Sequence, residues 1–366
     1  MSPRDAYIAL NMLPKIGPIR VRRLLNELGS PERVLAAPIH RLEQVAGVGT
    51  ESAQIIHHWE NHCDIQKEIS ECETRGIRII TAASDEYPES LRHIYDPPLL
   101  LYVWGKLIPA DQHAIAIVGS RRSTHYGQQA TRDIASHLTR TGHTIISGLA
   151  RGIDTHAHRA AIDAGGRTIA VIGSGLGQIY PPENMNLAHE IASGHGAVIS
   201  EFPVHKRPNK MTFPRRNRIV AACSKGILVT ECPSWSGSLI TAQLGLEMGK
   251  NIYAVPGPID RPHSSGCNQL IRDGATLVRS ADDIIEDFEA LPLIGKLHAQ
   301  PQATPDPSLS EEESSIYAAI QLQDQSIDSL VDRTRLPIAT IISQLLQLEM
   351  KRLVTQLPGP RYTLRK

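Results

Sequence analysis

"IAIVGSRRSTHYGQQATRDIASHLTRTGHTIISG", Ile115–Gly148, holds the pattern on which the fold turns. Ile115–Val118 is apolar without alternation, as a strand covered on both faces of a parallel sheet requires. Gly119-Ser120-Arg121 breaks the run, a helical stretch follows over Tyr126–Arg140, and "TIIS" starts the next strand. The same alternation extends outward in both directions. Between Gly76 and Asp287 the candidate strands are "IRII", "LLLYV", "IAIV", "TIIS", "TIAVI", "AVIS", "ILV", "IYAV" and "TLV". Asp154–Ala164 and Ser238–Met248 are further helices among them. Alternation on this scale defines an α/β fold, a Rossmann-like doubly wound and mostly parallel sheet.

The chain has 366 residues, room for more than this one layer structure, and its 41% hydrophobic and 21% charged content is that of a globular protein. Formal net charge is +0, so any electrostatic signal must be local. The start, "MSPRDAYIALNMLPKIG", has no long apolar run, and neither a signal peptide nor a membrane span is expected. Cys63, Cys72, Cys223, Cys232 and Cys267 form no C-x-x-C pair, a spacing that fits reduced thiols in a cytoplasmic protein without structural zinc.

Residues 1–70 read as a helical domain with two glycine turns, "LPKIGPIRVRRLLNELG" and "LEQVAGVGTESAQIIHHW", the helix-hairpin-helix pattern. Gly17 and Gly49 would let amides at a helix start approach a DNA phosphate. Arg20, Arg22 and Arg23 support such contact at the first hairpin; a plain helical bundle explains the glycines equally. Residues 71–290 carry the sheet. Residues 291–310, "LPLIGKLHAQPQATPDPSLS", are proline-rich and read as a linker. Residues 311–366 outline a winged helix: a helix, a short helix at "SIDSLVDRTRL", a longer one at "IATIISQLLQLEMKRL", and the hairpin-like "VTQLPGPRYTLRK". From Arg333 to Lys366 seven Lys/Arg face one acid, Glu349. A basic wing suits nucleic acid, and a protein-docking module with a solvated face fits the same charges.

In open α/β sheets ligands bind beyond the carboxyl ends of the strands. Here those ends carry glycines, hydroxyls and arginines, the donors that match phosphate. "VIGSGLGQ" is G-x-G-x-G without the following helix or ribose-binding acid of a dinucleotide site, so no cofactor is expected. No G-x-S-x-G elbow or H-E-x-x-H occurs. His156 and His158 in "GIDTHAH" point to different helix faces, and Asp154 reads as an N-cap, so no metal site is expected. Glu201 and Glu231, at strand ends, keep open an alternative enzyme reading, a Rossmann-like nucleotide phosphoribohydrolase or N-glycosidase, although no catalytic partner stands out.

The sharpest charge signal is "KRPNKMTFPRRNRIVAACSK", Lys206–Lys225, with seven basic residues and no acid. Arginines crowd the start of a helix there, the end that already carries partial positive charge. So long a tract suits a polyanion better than a mononucleotide. Phe213 amid guanidinium groups is the kit for single-stranded nucleic acid, in which bases stack and phosphates pair. The plainer reading makes Phe213 a core residue and the arginines a solvated loop.

Seven segments together resemble one family. They are "YPESLRHIYDPPLLLYVWG", "AIVGSRRSTHYG", "ISGLARGIDTHAHRAAI", "TIAVIGSGLGQIYPPENMNL", "KMTFPRRNRIVAACS", "VTECPSWSGSLITAQLGLEMGKNIYAVPG" and "SSGCNQLIRDGA". In order and length they resemble the DNA-processing protein A (DprA/Smf) family, over nearly the whole chain. The N-terminal segment looks like that family's sterile-alpha-motif-like domain and the tail like its winged helix. The resemblance implies binding of single-stranded DNA during natural transformation, protection of that strand, loading of the RecA recombinase, no catalysis, and a homodimer through the Rossmann-like domain. It implies DNA contacts at Ser120, Arg121, Lys210, Phe213, Arg216, Asn217 and Arg218, with Gly148 in the same pocket. Backbone amides near Gly119 and Gly148 are expected to share the phosphates with these side chains.

Overall fold

The computed structural model describes residues 1–290, 310–322, 325–351, 353–357 and 361–364. Met1–Pro292 and Leu293–Lys366 form two compact units. The first is built on a nine-stranded sheet: β1 (Ile77–Thr81), β2 (Leu100–Gly105), β3 (Ile115–Val118), β4 (Ile145–Ser147), β5 (Thr168–Val171), β6 (Gly196–Ser200), β7 (Gly226–Val229), β8 (Asn251–Ala254) and β9 (Thr276–Leu277). Each apolar run forms a strand within two residues of the expected ends.

The order across the sheet is β1-β2-β6-β5-β4-β3-β7-β8-β9. From β6 to β9 every neighbour is parallel. The β1–β2 hairpin is added antiparallel at the β6 side. The chain steps outward from β3 through β4 and β5 to β6, then returns to place β7 on the other flank of β3. That reversal opens a crevice above the carboxyl ends of β3 and β7.

Strand residues alternate between two covering layers. Ile115, Ile117, Ile145 and Leu228 pack under the helices His125–Arg140 and Ile153–Asp163. Ala116, Val118, Ile146 and Val229 pack on the opposite side with Ile219–Ala222 and Ala242 of the helices Thr212–Ala222 and Gly237–Glu247. Burial of both faces is why these strands read as unbroken apolar runs. Each fully buried Ile contributes about 1.5–3 kcal/mol over an exposed one.

The N-terminal helices share this unit. Ala6, Leu10, Leu24, Ile56 and Cys72 join Tyr102, Ala170 and Val198 of the sheet in one apolar cluster. Gly17 and Gly49 do start helices, Pro18–Leu28 and Thr50–His57. The arginines beside them have other work. Arg20 donates to the Gly47 carbonyl at 2.9 Å and to the Lys15 carbonyl at 2.5 Å, and Arg23 donates to the Ala46 carbonyl at 3.0 Å. These bonds tie the first glycine turn to the second.

The C-terminal unit has helices Glu311–Leu322, Ile327–Thr334 and Ile338–Met350 around Ile316, Ile320, Leu330, Ile341, Leu345 and Leu348. A three-stranded antiparallel sheet completes a winged helix: Gln325–Ser326, Arg361–Leu364 and Val354–Leu357, in that spatial order. The short first strand was not read from the sequence. The linker up to residue 309, and Arg352, Pro358–Pro360, Arg365 and Lys366 of the basic wing, lie outside the described residues. Among the described residues no helix is long and apolar enough to cross a membrane.

His158 sits fully buried in the helix over β4 and β5. The Thr168 hydroxyl donates to the Ile145 carbonyl at 2.8 Å, so it accepts from Nδ1 of His158 at 2.6 Å. The ring is therefore the Nδ1–H tautomer, and Nε2 has no partner among the described residues. Burial, with the nearby Arg216 charge adding to it, pushes the imidazole pKa down to about 3. An unfolded histidine titrates near 6.5. Between these values the unfolded chain binds more protons, so stability from this group is present above about pH 6.5 and is lost as pH falls toward 3. Urea titrations across pH 3–7 should show that acid-side slope, flattened in His158→Gln; an equal slope in both would refute the assignment.

Candidate nucleic-acid interface

The crevice above β3 and β7 is a cleft of about 710 Å³. It is lined by eight of the nine residues singled out from sequence: Gly119, Ser120, Arg121, Gly148, Lys210, Phe213, Arg216 and Asn217. They come from three chain segments separated by tens of residues, brought together by the crossover from β6 back to β7.

The floor is set by close backbone packing. A side chain at Gly119 would place its Cβ 2.6 Å from Ile153 Cγ1 and 2.8 Å from the Glu231 carbonyl. The Ser120 amide donates to that carbonyl at 2.7 Å, and its buried hydroxyl accepts from the Arg122 amide at 3.1 Å, which turns Arg121 and Arg122 outward. Gly148 leaves room for a guanidinium: a Cβ there would lie 1.9 Å from Nη1 of Arg216. The Gly148 amide donates to Asp154 Oδ2 at 3.1 Å, as does that of Ala150 at 3.3 Å. Asp154 therefore ties down the loop before its helix and does not cap the helix. Gly152 occupies the N-cap position. The amides of Ser120 and Gly148 themselves are committed internally, to the Glu231 carbonyl and to Asp154.

Arg216 is 4% exposed, and Nη1 donates to the Val171 carbonyl at 2.5 Å while Nε has no acceptor among the described residues. Burial lowers its pKa to about 10, against the pull of the Asp154 charge. Burial likewise raises the Asp154 carboxyl, with Arg216 opposing. Above this pair lies Phe213, half-buried, with the Arg121 guanidinium 5.3 Å from its ring centroid and the Tyr180 ring at 5.8 Å. The plainer reading of Phe213 as a pure core residue does not describe this position. Arg121, Arg122 and Lys210 are exposed and, among the described residues, have no carboxylate partner.

Arg218 departs from the expectation. It lies outside the cleft, 4% exposed, donating to Glu201 at 3.0 and 2.9 Å and to Asp96 at 2.7 Å. Arg215 also pairs with Glu201, at 3.1 Å. The arginine-rich helix is thus largely neutralised by carboxylates distant in sequence, and its charge is less strained than the local pattern implied. Only Arg215 falls in its first turn. Of the two glutamates considered as acid or base, Glu201 is consumed by these arginines. Glu231 accepts from the Thr124 amide at 2.7 Å and hydroxyl at 2.5 Å, holding the start of His125–Arg140. Asp154, bonded to two amides, is the carboxylate among the described residues that line the cleft.

Two features were missed. Arg122 adds a third exposed cation, legible as the second arginine of "GSRR". Trp235, 79% exposed, lines the same cleft with Pro233, Ser236 and Ile240. Its signal was a lone tryptophan in the proline- and serine-rich segment between β7 and the helix Gly237–Glu247.

The Rossmann-like sheet thus carries a cationic, aromatic crevice at its switch point. Comparison with known proteins gives the family. The profile described as DNA recombination-mediator protein A matches residues 78–289, and that described as DprA winged helix domain matches residues 300–360. Protein Smf of Synechocystis is 33% identical over 99% of this chain and 98% of its own. DNA processing protein DprA of Bacillus subtilis is 43% identical over 58% of this chain and 72% of its own. The X-ray structure of DNA processing protein A from Streptococcus pneumoniae superposes with TM-score 0.68 at 32% identity, covering 78% of this chain and 98% of that one. That of Helicobacter pylori, described for its single-stranded DNA binding mode, gives TM-score 0.53 at 30% identity, covering 58% and 96%. The chain belongs to the DNA recombination-mediator protein A (DprA/Smf) family.

The two arginine roles separate experimentally. Arg218→Ala leaves Glu201 buried without its main partner and should cost about 3–5 kcal/mol of folding stability. Arg121→Ala, at an exposed site, should change stability by no more than about 0.5 kcal/mol. Chemical denaturation of both variants checks this, and equal stabilities would contradict the assignment.

Proposed function

We propose that this chain binds single-stranded DNA in the cleft above β3 and β7. The observation that carries the reading is the convergence there of unpaired Arg121, Arg122 and Lys210 on the half-exposed Phe213 ring. The cations hold successive phosphates, and Phe213 offers a face on which a base stacks without regard to sequence. Arg216, almost wholly buried in the lining of the cleft, adds positive potential there. Arg218 is left out of the contact set. The single-stranded DNA binding described for the Helicobacter pylori relative supports the same reading.

The action is binding rather than turnover, in a cytoplasmic protein without cofactor or metal. Glu201, Glu231 and Asp154 are each occupied in structural bonds, which weighs against a nucleotide-hydrolysing site. Residues 1–70, 71–290 and 311–366 serve as helical, DNA-binding and winged-helix parts, joined by 291–310. By resemblance, two copies associate through the Rossmann-like part, protect a strand entering by natural transformation, and pass it to RecA. One strand spanning two clefts gains avidity.

Arg121→Ala and Lys210→Ala should each weaken binding to oligo-dT and reduce the salt slope by about one unit, since each removes one phosphate contact. Duplex of equal length should bind less tightly, because paired bases cannot reach the ring. Anisotropy titrations from 50 to 300 mM salt (about this range brackets phosphate-driven binding) measure both. Unchanged affinity and slope in the two variants would eliminate the cleft.

A further inference from the structure

Trp235 is the least buried large ring bordering the cleft, and the backbone beneath it is fixed. The Ser236 amide donates to the Pro233 carbonyl at 3.2 Å, closing a turn with Trp235 near its tip. The Ser234 amide donates to the Ser265 hydroxyl at 3.0 Å. Gly266 packs so closely under this turn that a Cβ there would stand 2.8 Å from the Pro233 carbonyl. The helix Gly237–Glu247 follows at once, with the Ser236 hydroxyl accepting from the Ser238 amide at 3.3 Å. A rigid turn thus carries an indole that is 79% exposed. Among the described residues it has no ring or cation partner, whereas Phe213 is flanked by Arg121 and Tyr180. Ile240, 46% exposed, widens the apolar strip on the same wall.

Exposing an indole to water on a hydrogen-bonded turn forgoes the burial that such a ring ordinarily gains. Its position on a cationic cleft gives that exposure a use, because stacking on a nucleobase needs a free aromatic face on a preorganised support. From this placement we infer that Trp235 is a second base platform beside Phe213 in the lining of one cleft, so that the cleft grips at least two nucleotides of one strand and holds the linking phosphates over Arg121, Arg122 and Lys210. The inference rests on the reading of the cleft as a single-strand site and adds to it a second anchoring residue. The indole is neutral, so its contribution is independent of salt, unlike that of the cations.

The test uses the full chain and fluorescein-labelled oligo-dT. Trp235→Ala should weaken binding about ten-fold with an unchanged salt slope, the size of one lost base stack, and Trp235→Phe should recover most of it. Arg121→Ala, measured alongside, should weaken binding and lower the slope. A chain whose other tryptophans, Trp59 and Trp104, are replaced by Phe should show emission quenched by oligo-dT at the concentration that saturates anisotropy. Wild-type affinity in Trp235→Ala, with Arg121→Ala impaired, overturns the second platform and leaves the cleft standing. Wild-type affinity in both removes the cleft itself. Emission that shifts with protein concentration in the absence of DNA assigns Trp235 to contact between copies and also overturns the proposal.

Discussion

Glu201 and Arg218 meet through two hydrogen bonds of 3.0 and 2.9 Å where both side chains are almost wholly buried. Breaking such a pair strands a charge in a medium that cannot solvate it. The pair joins the end of β6 to the helix Thr212–Ala222, and Asp96 adds a third anchor from the loop before β2. Everything that makes the cleft cationic and aromatic on one side rides on this helix and the loop before it. Phe213, Arg216 and Asn217 stand on the helix, and Lys210 lies two residues ahead of its start. Arg218 therefore acts on the cleft at a distance, by fixing the orientation in which its neighbours face the opposite way.

That division of labour along one helix reconciles a dense run of positive charge with a stable fold. Arg216 and Arg218 lie two positions apart and project to different sides. One is sealed against the Val171 carbonyl, the other against carboxylates. Charge left over for a ligand comes instead from Arg121, Arg122 and Lys210, on loops where water screens them and where long side chains can reorient. A buried guanidinium supplies field and position; exposed ones supply contacts.

Much of this was legible in the chain. Strands covered on both faces must be apolar throughout, so Ile115–Val118 and Gly226–Val229 declared themselves, and the carboxyl-end rule pointed to Gly119 and Gly148. The antiparallel setting of β1 and β2 was not legible, because hydrophobic runs carry no direction. The burial of Arg218 was not legible because Asp96 lies 122 residues away and Glu201 belongs to the preceding strand end. The position of Asp154 at a helix start fits a cap in the sequence alone; only the fold shows that its carboxylate turns back toward Gly148. Gly148 itself was assigned to the right pocket for a different physical reason, an amide for phosphate where the structure has room for Arg216. Trp235 went unread because a solitary ring in a polar loop has no periodicity to announce it.

The apolar cluster that runs from Ala6 and Leu24 into Tyr102, Ala170 and Val198 has an evolutionary side. Because the first helices roof part of the sheet, they cannot be lost or exchanged like a tethered module without leaving that face bare to solvent. Descendants free to discard this segment would first need polar substitutions on the underlying strands, or another covering. The winged helix closes a separate core of its own around Leu330 and Leu345, so the apolar packing that holds it folded comes from its own residues.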